Sequence, residues 1–214
     1  MLGLNTETGG GDYTPIVKFD ARAGRFFRVD REEVGGQWQT DNVEITDGFQ
    51  ALMDLENIEV GWGLFAAGVA PSWALVPLGA AMPARPSDQH KQTFRLMLKL
   101  GKASGGDVRE FASQSKAVIA AMDDLHTAYE AQKAANPGKL PLVAVKGTKQ
   151  VTTTGKGQTA TNYAPIFEIS RWLDRPEGLG GQAPAGSPAP PAPPPPPPPA
   201  AKQPEQVTAS DEEF

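Results

Sequence analysis

The chain has 214 residues, with 25 acidic side chains, 20 basic side chains, two histidines and no cysteine. The lack of cysteine excludes disulfides, thiol catalysis and thiolate metal sites, and it is typical of proteins from a reducing compartment. The two histidines, His90 and His126, lack the spacing of metal ligands, so we expect no metal site and no cofactor. The N-terminus has no basic and then apolar segment, so we expect a cytoplasmic protein without a membrane anchor.

Proline usage separates a body from a tail. Twelve of the 21 prolines lie between Pro184 and Pro204. Residues 177–208 offer almost no large apolar side chain, so we expect a disordered, proline-rich linker. Residues 13–176 are enough for one domain with a sizeable core. The Gly- and Thr-rich residues 1–12 are expected to be flexible, and residues 209–214 form an acidic tip.

The body begins with short segments rich in aromatic and β-branched residues, separated by turn residues. Together with three later segments they predict nine strands: Thr14–Asp20, Arg25–Asp30, Gln37–Ile45, Phe49–Leu55, Ile58–Phe65, Trp73–Leu78, Thr93–Leu100, Leu140–Val151 and Tyr163–Trp172. The alternation is clearest in Thr93–Leu100, where Phe94, Leu96, Leu98 and Leu100 share one face.

Apolar residues at helical spacing predict one long helix, from about Asp107 to Lys133, with Asp107 as its N-cap. The connection Thr152–Thr161 has no large apolar residue, and we expect a mobile loop there. Strands, one helix and a final hairpin follow the chain order of an OB-fold. The sequence thus predicts a mainly β protein with one long helix, an elaborated OB-fold barrel plus a disordered proline-rich tail.

The formal net charge of −5 is unevenly distributed. Residues 177–214 hold five acids and one lysine, which is −4, whereas residues 1–176 hold 20 acids and 19 bases, which is −1. Within the body, the stretch from Glu32 to Ala84 contains eight acids and no basic residue, while basic residues cluster before and after it. This segregation is compatible with a basic groove, although composition alone favours ordinary solvated surface charge.

A single-strand binder needs cations for phosphates and aromatic rings for bases. If Phe27 and Val29 point inward, Phe26 and Arg28 point outward together, and the same alternation applies to the later strands. This reasoning selects eight candidate DNA-binding residues: Phe26, Arg28, Arg95, Lys99, Lys146, Lys149, Lys156 and Tyr163. Trp38 and Trp62 are further stacking candidates, although for any one of these aromatic residues taken singly core packing is the better explanation.

The chain closes with Asp211, Glu212, Glu213 and the terminal Phe214, after a proline spacer. This ending resembles that of single-stranded DNA-binding proteins of the phage and bacterial replication type. Those proteins join an OB-fold to a disordered linker and an acidic tip ending in Phe. The chain departs from the cellular bacterial tip, which has Ile-Pro before the final Phe, and is closer to a phage-type member. The resemblance implies that these four residues recruit replication and recombination enzymes.

We therefore expect a protein that binds and protects single-stranded DNA during replication, recombination or repair, in the cytoplasm of a bacterium or a phage-infected cell. Homo-oligomer formation stays open. We expect no enzyme activity, although the carboxylates of Asp41–Glu59 leave a metal-dependent nuclease as a minor alternative. A second hypothesis is an interaction protein that binds no DNA and uses its proline-rich tail as the ligand of a partner domain.

Overall fold

The computed structural model describes residues 14–66, 70–155 and 158–179, apart from the side chains of 153–155 and 158. Lys156, most of the linker and the tip therefore lie outside the described residues. The described part is mainly β with one helix, as predicted. Its strands are β1 (Ile16–Asp20), β2 (Arg25–Val34), β3 (Gln37–Glu44), β4 (Gln50–Met53), β5 (Glu59–Leu64), β6 (Ser72–Pro77), β7 (Lys91–Leu100), β8 (Val108–Ser113), β9 (Lys139–Gly155) and β10 (Gln158–Asp174), and its helix is α1 (Lys116–Lys133).

All ten strands belong to one mixed sheet. Its main path runs β10-β9-β4-β7-β8-β1-β2-β3. Strand β5 lies off this path and pairs with β7 on one side and β6 on the other. The neighbours β1 and β8 are parallel, whereas the other described pairs are antiparallel. The two ends of the path, β3 and β10, do not pair within the described residues. The sheet is therefore open, and the expected barrel closure is not seen.

The sheet nevertheless curls strongly, because β10 returns to the turn between β1 and β2. The backbone N–H of Tyr163 donates to the carbonyl of Ala21 at 2.7 Å. The Tyr163 ring lies against Gly24, where a Cβ atom would be 3.1 Å from the ring and where φ is +70°. Glycine is thus required here both by the backbone conformation and by the close approach of the ring.

Aromatic rings fill the concave side of this sheet. The ring of Phe26 is fully buried and stacks on Phe49 at 4.4 Å between centroids. Phe111 and Phe167 flank it at 5.9 and 6.2 Å, so strands from both ends of the path meet at one ring. The helix adds a buried apolar stripe to the same core: Val118, Met122, Leu125 and Tyr129. In the described residues no helix is long and apolar enough to cross a membrane.

The predicted helix start at Asp107 is wrong. Residues Val108–Ser113 form strand β8, and α1 begins at Lys116 with Ser115 as its N-cap residue. Arg109, Phe111 and Ser113 are buried on alternate positions, which is the period of a strand. Phe111 fits the apolar period of the helix as well as that of the strand. This single residue therefore placed the predicted helix start too far toward the N-terminus.

The predicted mobile loop at Thr152–Thr161 is also wrong, because the two strands continue through it. Thr152 pairs with Thr161, and the ladder runs on until Gly155 pairs with Gln158. Only residues 156–157 connect the strands, and they lie outside the described residues. A two-stranded ladder satisfies its backbone groups without a large apolar side chain, and threonine is well suited to strands.

An ion-paired clamp fixes the end of the described chain. Arg175 donates to Asp54 at 2.6 Å, to Glu56 at 2.7 Å and to the carbonyl of Leu179 at 2.9 Å. The hydrogen bond with Asp54 is the largest of several effects that raise the pKa of Arg175. Leu179 is buried, so the chain is held to the body until just before the proline-rich segment.

Phe26 and Phe27 provide a matched test of this fold because they lie next to each other on opposite faces of β2. We expect Phe26→Ala to lower the free energy of unfolding by about 3–5 kcal/mol, since the ring fills the centre of the core. Phe27→Ala should cost less than about 1.5 kcal/mol, because its ring is only half-buried. Urea denaturation followed by circular dichroism measures both, and equal losses would contradict the described orientation of β2.

Candidate nucleic-acid interface

The curved sheet has a second face, which points away from the core and from α1. We call the part on β6, β5, β7, β8, β1 and β2 the outer face. In β7 the apolar residues Phe94, Leu96, Leu98 and Leu100 are buried toward the core, as the alternation predicted. The residues between them, including Arg95 and Lys99, therefore belong to the outer face.

Arg95 lies on the predicted face but is not available to a ligand as predicted. The residue is only 8% exposed. Its guanidinium lies 2.6 Å from a carboxylate oxygen of Glu59 and 3.9 Å from one of Glu110, and it stands over the ring of Trp73 at 5.5 Å. Arg95 is thus a neutralised cation that supports Trp73 and is not a free phosphate ligand.

Glu110 is the less well compensated acid of this group. Burial raises the pKa of its carboxyl group, Glu59 raises it further, and Arg95 opposes the shift only in part. The Arg95 guanidinium is therefore shared by two largely buried carboxylates, Glu59 and Glu110, and its contact with Glu59 is the shorter one. Desolvation of a carboxylate without a full partner disfavours its charged form.

A second cation and a second aromatic ring lie on the same face, and neither is among the predicted site residues. Lys18 on β1 is exposed and stands 5.3 Å from the ring centroid of Phe27 on β2, which is half-buried. The predicted orientation of β2, with Phe27 inward and Phe26 outward, is wrong. The alternation of Val17 and Phe19 around Lys18 was the available signal, since it puts Lys18 outward and fixes its neighbours.

Arg95, Lys18 and Phe27 occupy one row across the sheet. Arg95 is opposite Ala112 on β8, and Lys18 is opposite Phe27. One step beyond the observed β1–β8 register, Lys18 is beside Ala112. Adjacent strands are about 4.8 Å apart, so the row from Arg95 to Phe27 spans roughly 14 Å. Trp73 is on the same face but outside this row, because it is opposite Gly63 on β5, and its ring lies beneath the Arg95 guanidinium.

Phe26 and Arg28, both predicted to point outward from β2, lie elsewhere. Phe26 is the centre of the core, because β2 has the opposite orientation to the one assumed. Arg28 is half-buried and donates to Asp30 at 2.9 Å and to the carbonyl of Ser104 at 3.2 Å. It therefore has a structural role at the turn between β7 and β8.

Arg109 organises the same region from β8. It is buried and contacts Asp30 at 2.6 Å and Asp107 at 2.7 Å. Burial acts against ionisation of Asp30, but hydrogen bonds from Arg109 and Arg28 prevail and lower its pKa. Asp107 thus serves this ion-pair cluster and not the helix N-cap that was predicted.

The other candidates do not join the outer-face row. Lys99 is half-buried on the outer face, at the end of β7. Lys146 and Lys149 are exposed on β9 and lie 3.2 Å from Glu168 and 3.8 Å from Asp124. Tyr163 is half-buried against the β1–β2 turn, and Lys156 lies outside the described residues. The lysines of the last hairpin therefore form a separate candidate surface.

A groove and the placement of the potential metal ligands also bear on what the described part of the protein could bind. A groove of about 280 Å³ between α1 and β10 has a mostly apolar floor that includes Leu125, Ile166 and Phe167. Among the residues that the structure describes, no group of three or more histidine or carboxylate side chains could hold a metal ion.

Comparison with family models, with curated proteins and with solved structures finds no match to this chain.

The buried acid of the outer face gives a pH-dependent prediction. Because the pKa of Glu110 is raised in the folded protein, its contribution to stability is full below the unfolded pKa and is lost as the pH rises. We expect Glu110→Gln to raise the Tm at pH 7 by a few degrees and to leave it nearly unchanged near pH 4. Thermal melts over this pH range measure the effect.

Glu32→Gln is the control, because Glu32 is exposed and its replacement should change the Tm little at either pH. A lower Tm for Glu110→Gln at pH 7 would mean that the ion pair with Arg95 outweighs the burial of the carboxylate.

Proposed function

We propose that residues 13–176 bind and protect single-stranded DNA without sequence preference, through the outer face. The observation that carries the proposal is that two cation–aromatic pairs, Lys18 with Phe27 and Arg95 with Trp73, lie on this one face. Bases of any identity would stack on the two rings, and exposed cations such as Lys18 would contact the phosphates. The protein then acts by binding and has no catalytic role of its own.

The strongly curled sheet with one helix supports a related proposal about its fold. We propose that it is an elaborated OB-type domain whose barrel is incompletely closed. The hydrogen bond between Tyr163 and Ala21 is the described contact that comes nearest to closing it. On this view the additional strands β5 and β6 widen the outer face beside β7.

Two roles are proposed for the acidic tip, from its residue types and from the charge of the chain. Asp211, Glu212, Glu213 and Phe214 would recruit replication, recombination or repair enzymes, and they would compete with DNA for the body. Tethering by a linker supports this competition, since it raises the effective concentration of the tip near the body. The protein would act in the cytoplasm of a bacterial or phage-infected cell.

The first test compares the two candidate DNA surfaces. We expect Phe27→Ala to weaken the binding of labelled oligo-dT about 5- to 150-fold, the range that the loss of one stacked base implies. Lys18→Ala should weaken binding and reduce the slope of log affinity against log salt by about one. Fluorescence anisotropy at several salt concentrations measures both effects.

Lys133→Ala is the control, because Lys133 lies on α1 and its loss should leave the affinity unchanged. The triple variant Lys146→Ala, Lys149→Ala and Lys156→Ala tests the last hairpin. If this variant loses binding while Phe27→Ala and Lys18→Ala keep it, the DNA contacts the hairpin and not the outer face. If the wild-type chain fails to bind oligo-dT, the alternative of a tail-mediated interaction protein is favoured.

The second test concerns the tip. Deletion of residues 211–214 should tighten DNA binding at low salt, because it removes three side-chain carboxylates and the Phe214 ring from the competition. The gain should shrink as salt is added, since salt screens the competing contacts. Oligonucleotide titrations of the full chain and the truncated chain measure this, and an unchanged affinity at every salt concentration would contradict the competition.

A further inference from the structure

The hairpin of β2 and β3 projects from the body as a two-stranded ribbon. All residues from 31 to 42 are exposed, whereas the earlier part of β2 contributes to the core. Gly35 and Gly36 form its turn with φ values of +62° and +81°, the left-handed conformation that a tight two-residue hairpin turn requires. The ribbon carries Trp38, which is 67% exposed and is the most exposed large apolar side chain described.

One side of the ribbon presents backbone groups that have no partner among the described strands. The N–H of Ile45 donates to the carbonyl of Phe26, so the odd-numbered residues of β3 direct their backbone groups toward β2. The even-numbered residues therefore direct theirs toward the free edge: Trp38, Thr40, Asn42 and Glu44. Among the described strands β3 pairs only with β2.

This edge lacks most of the features that usually protect an edge strand against pairing. Such strands are commonly protected by proline, by charged side chains, especially lysine, or by a β-bulge. The eight residues of β3 contain no proline and no lysine, their only charged residues are Asp41 and Glu44, and their register with β2 is unbroken. A regular exposed edge with an exposed tryptophan is well formed for pairing with another strand.

We propose that β3 pairs antiparallel with β3 of a second copy of this chain, about a two-fold axis at Thr40. In this register Thr40 faces Thr40 of the second copy, and Trp38 faces its Asn42. Three of the four residues with edge-directed backbone groups then pair with one another, which gives about six interchain hydrogen bonds. The assembly is a closed dimer with a continuous sheet.

The side chains favour this register over its neighbours. With the axis at Thr40, each Asp41 faces the uncharged Gln39 of the other copy. With the axis at Asp41, the two aspartates would face each other, and like charges directly opposite are destabilising. With the axis at Gln39, only two pairs of the edge-directed residues could form. Hydrogen bonding thus disfavours the axis at Gln39. With the axis at Asp41 all four edge-directed residues would pair, so the repulsion between the two aspartates is what favours the axis at Thr40.

The proposal is independent of DNA binding, and its test is the mass of the full chain in solution. Thr40→Pro removes an N–H that points to the free edge, so the hairpin with β2 keeps its hydrogen bonds while the interchain pairing loses its centre. We expect this variant to raise the dimer dissociation constant at least about tenfold, with an unchanged far-ultraviolet circular dichroism spectrum. Sedimentation equilibrium over a concentration series measures the constant.

Thr40→Val is the matched control, since it keeps the N–H and suits a strand, and it should dimerise like the wild-type chain. Trp38→Ala should weaken the dimer without unfolding the body, because Trp38 is outside the core. A wild-type chain that stays monomeric at every concentration would overturn the proposal. So would a Thr40→Pro variant that dimerises as tightly as the wild type.

The register has its own test because the chain contains no cysteine. Thr40→Cys should form an interchain disulfide with oxidised glutathione, since directly opposed residues have Cα atoms within disulfide reach. Gln39→Cys should cross-link much more slowly, because Gln39 faces Asp41 of the second copy. Faster cross-linking at position 39 than at position 40 would overturn the proposed axis.

Discussion

The direction of the Phe26 side chain determines most of this structure. Its ring lies between Phe49, Phe111 and Phe167, so it draws together strands from the two ends of the sheet path. Side chains alternate along a strand, and burial of Phe26 therefore sends Phe27 to the outer face. Backbone N–H and C=O groups alternate in the same way, so the pairing of β2 with β3 also decides which residues of β3, among them Trp38, Thr40 and Asn42, direct these groups to the free edge. The core, the outer face and the ribbon edge thus all depend on the orientation of β2.

Several charged side chains are buried in ion pairs, and this limits the attraction of the protein surface for an anionic ligand. Arg95 and Arg109 are both buried, and each contacts two carboxylates. Arg95, on the outer face, lies 2.6 and 3.9 Å from its partners, and Arg109, on the Phe111 side of β8, lies 2.6 and 2.7 Å from its own. Such pairs contribute little net stability after desolvation, but removal of one partner leaves an uncompensated charge. Their charge is already neutralised inside the protein. The attraction of the outer face for an anion therefore depends on exposed lysines such as Lys18.

The elements were largely predictable from sequence, whereas the orientation of single strands was not. All nine predicted strands are found, because each combines β-favouring residues with flanking turn residues. Strand β8 was missed because Phe111 satisfies a helical and a strand period at once. Phe26 and Phe27 are equally apolar, so their identity could not decide which one is buried. Only the neighbouring strand β1, with Lys18 between two apolar residues, carried that information.

The clamp at Arg175 determines how mechanical load would enter the domain. A partner attached to residues 209–214 would pull on the chain, and the pull would reach the body at Leu179 and Arg175. The guanidinium passes the force to Asp54 and Glu56, which follow β4 in the middle of the sheet. Strand β10, at the edge, is thereby shielded from being peeled away from β9. A pull on the tail would therefore load the middle of the sheet before it loads the edge strand.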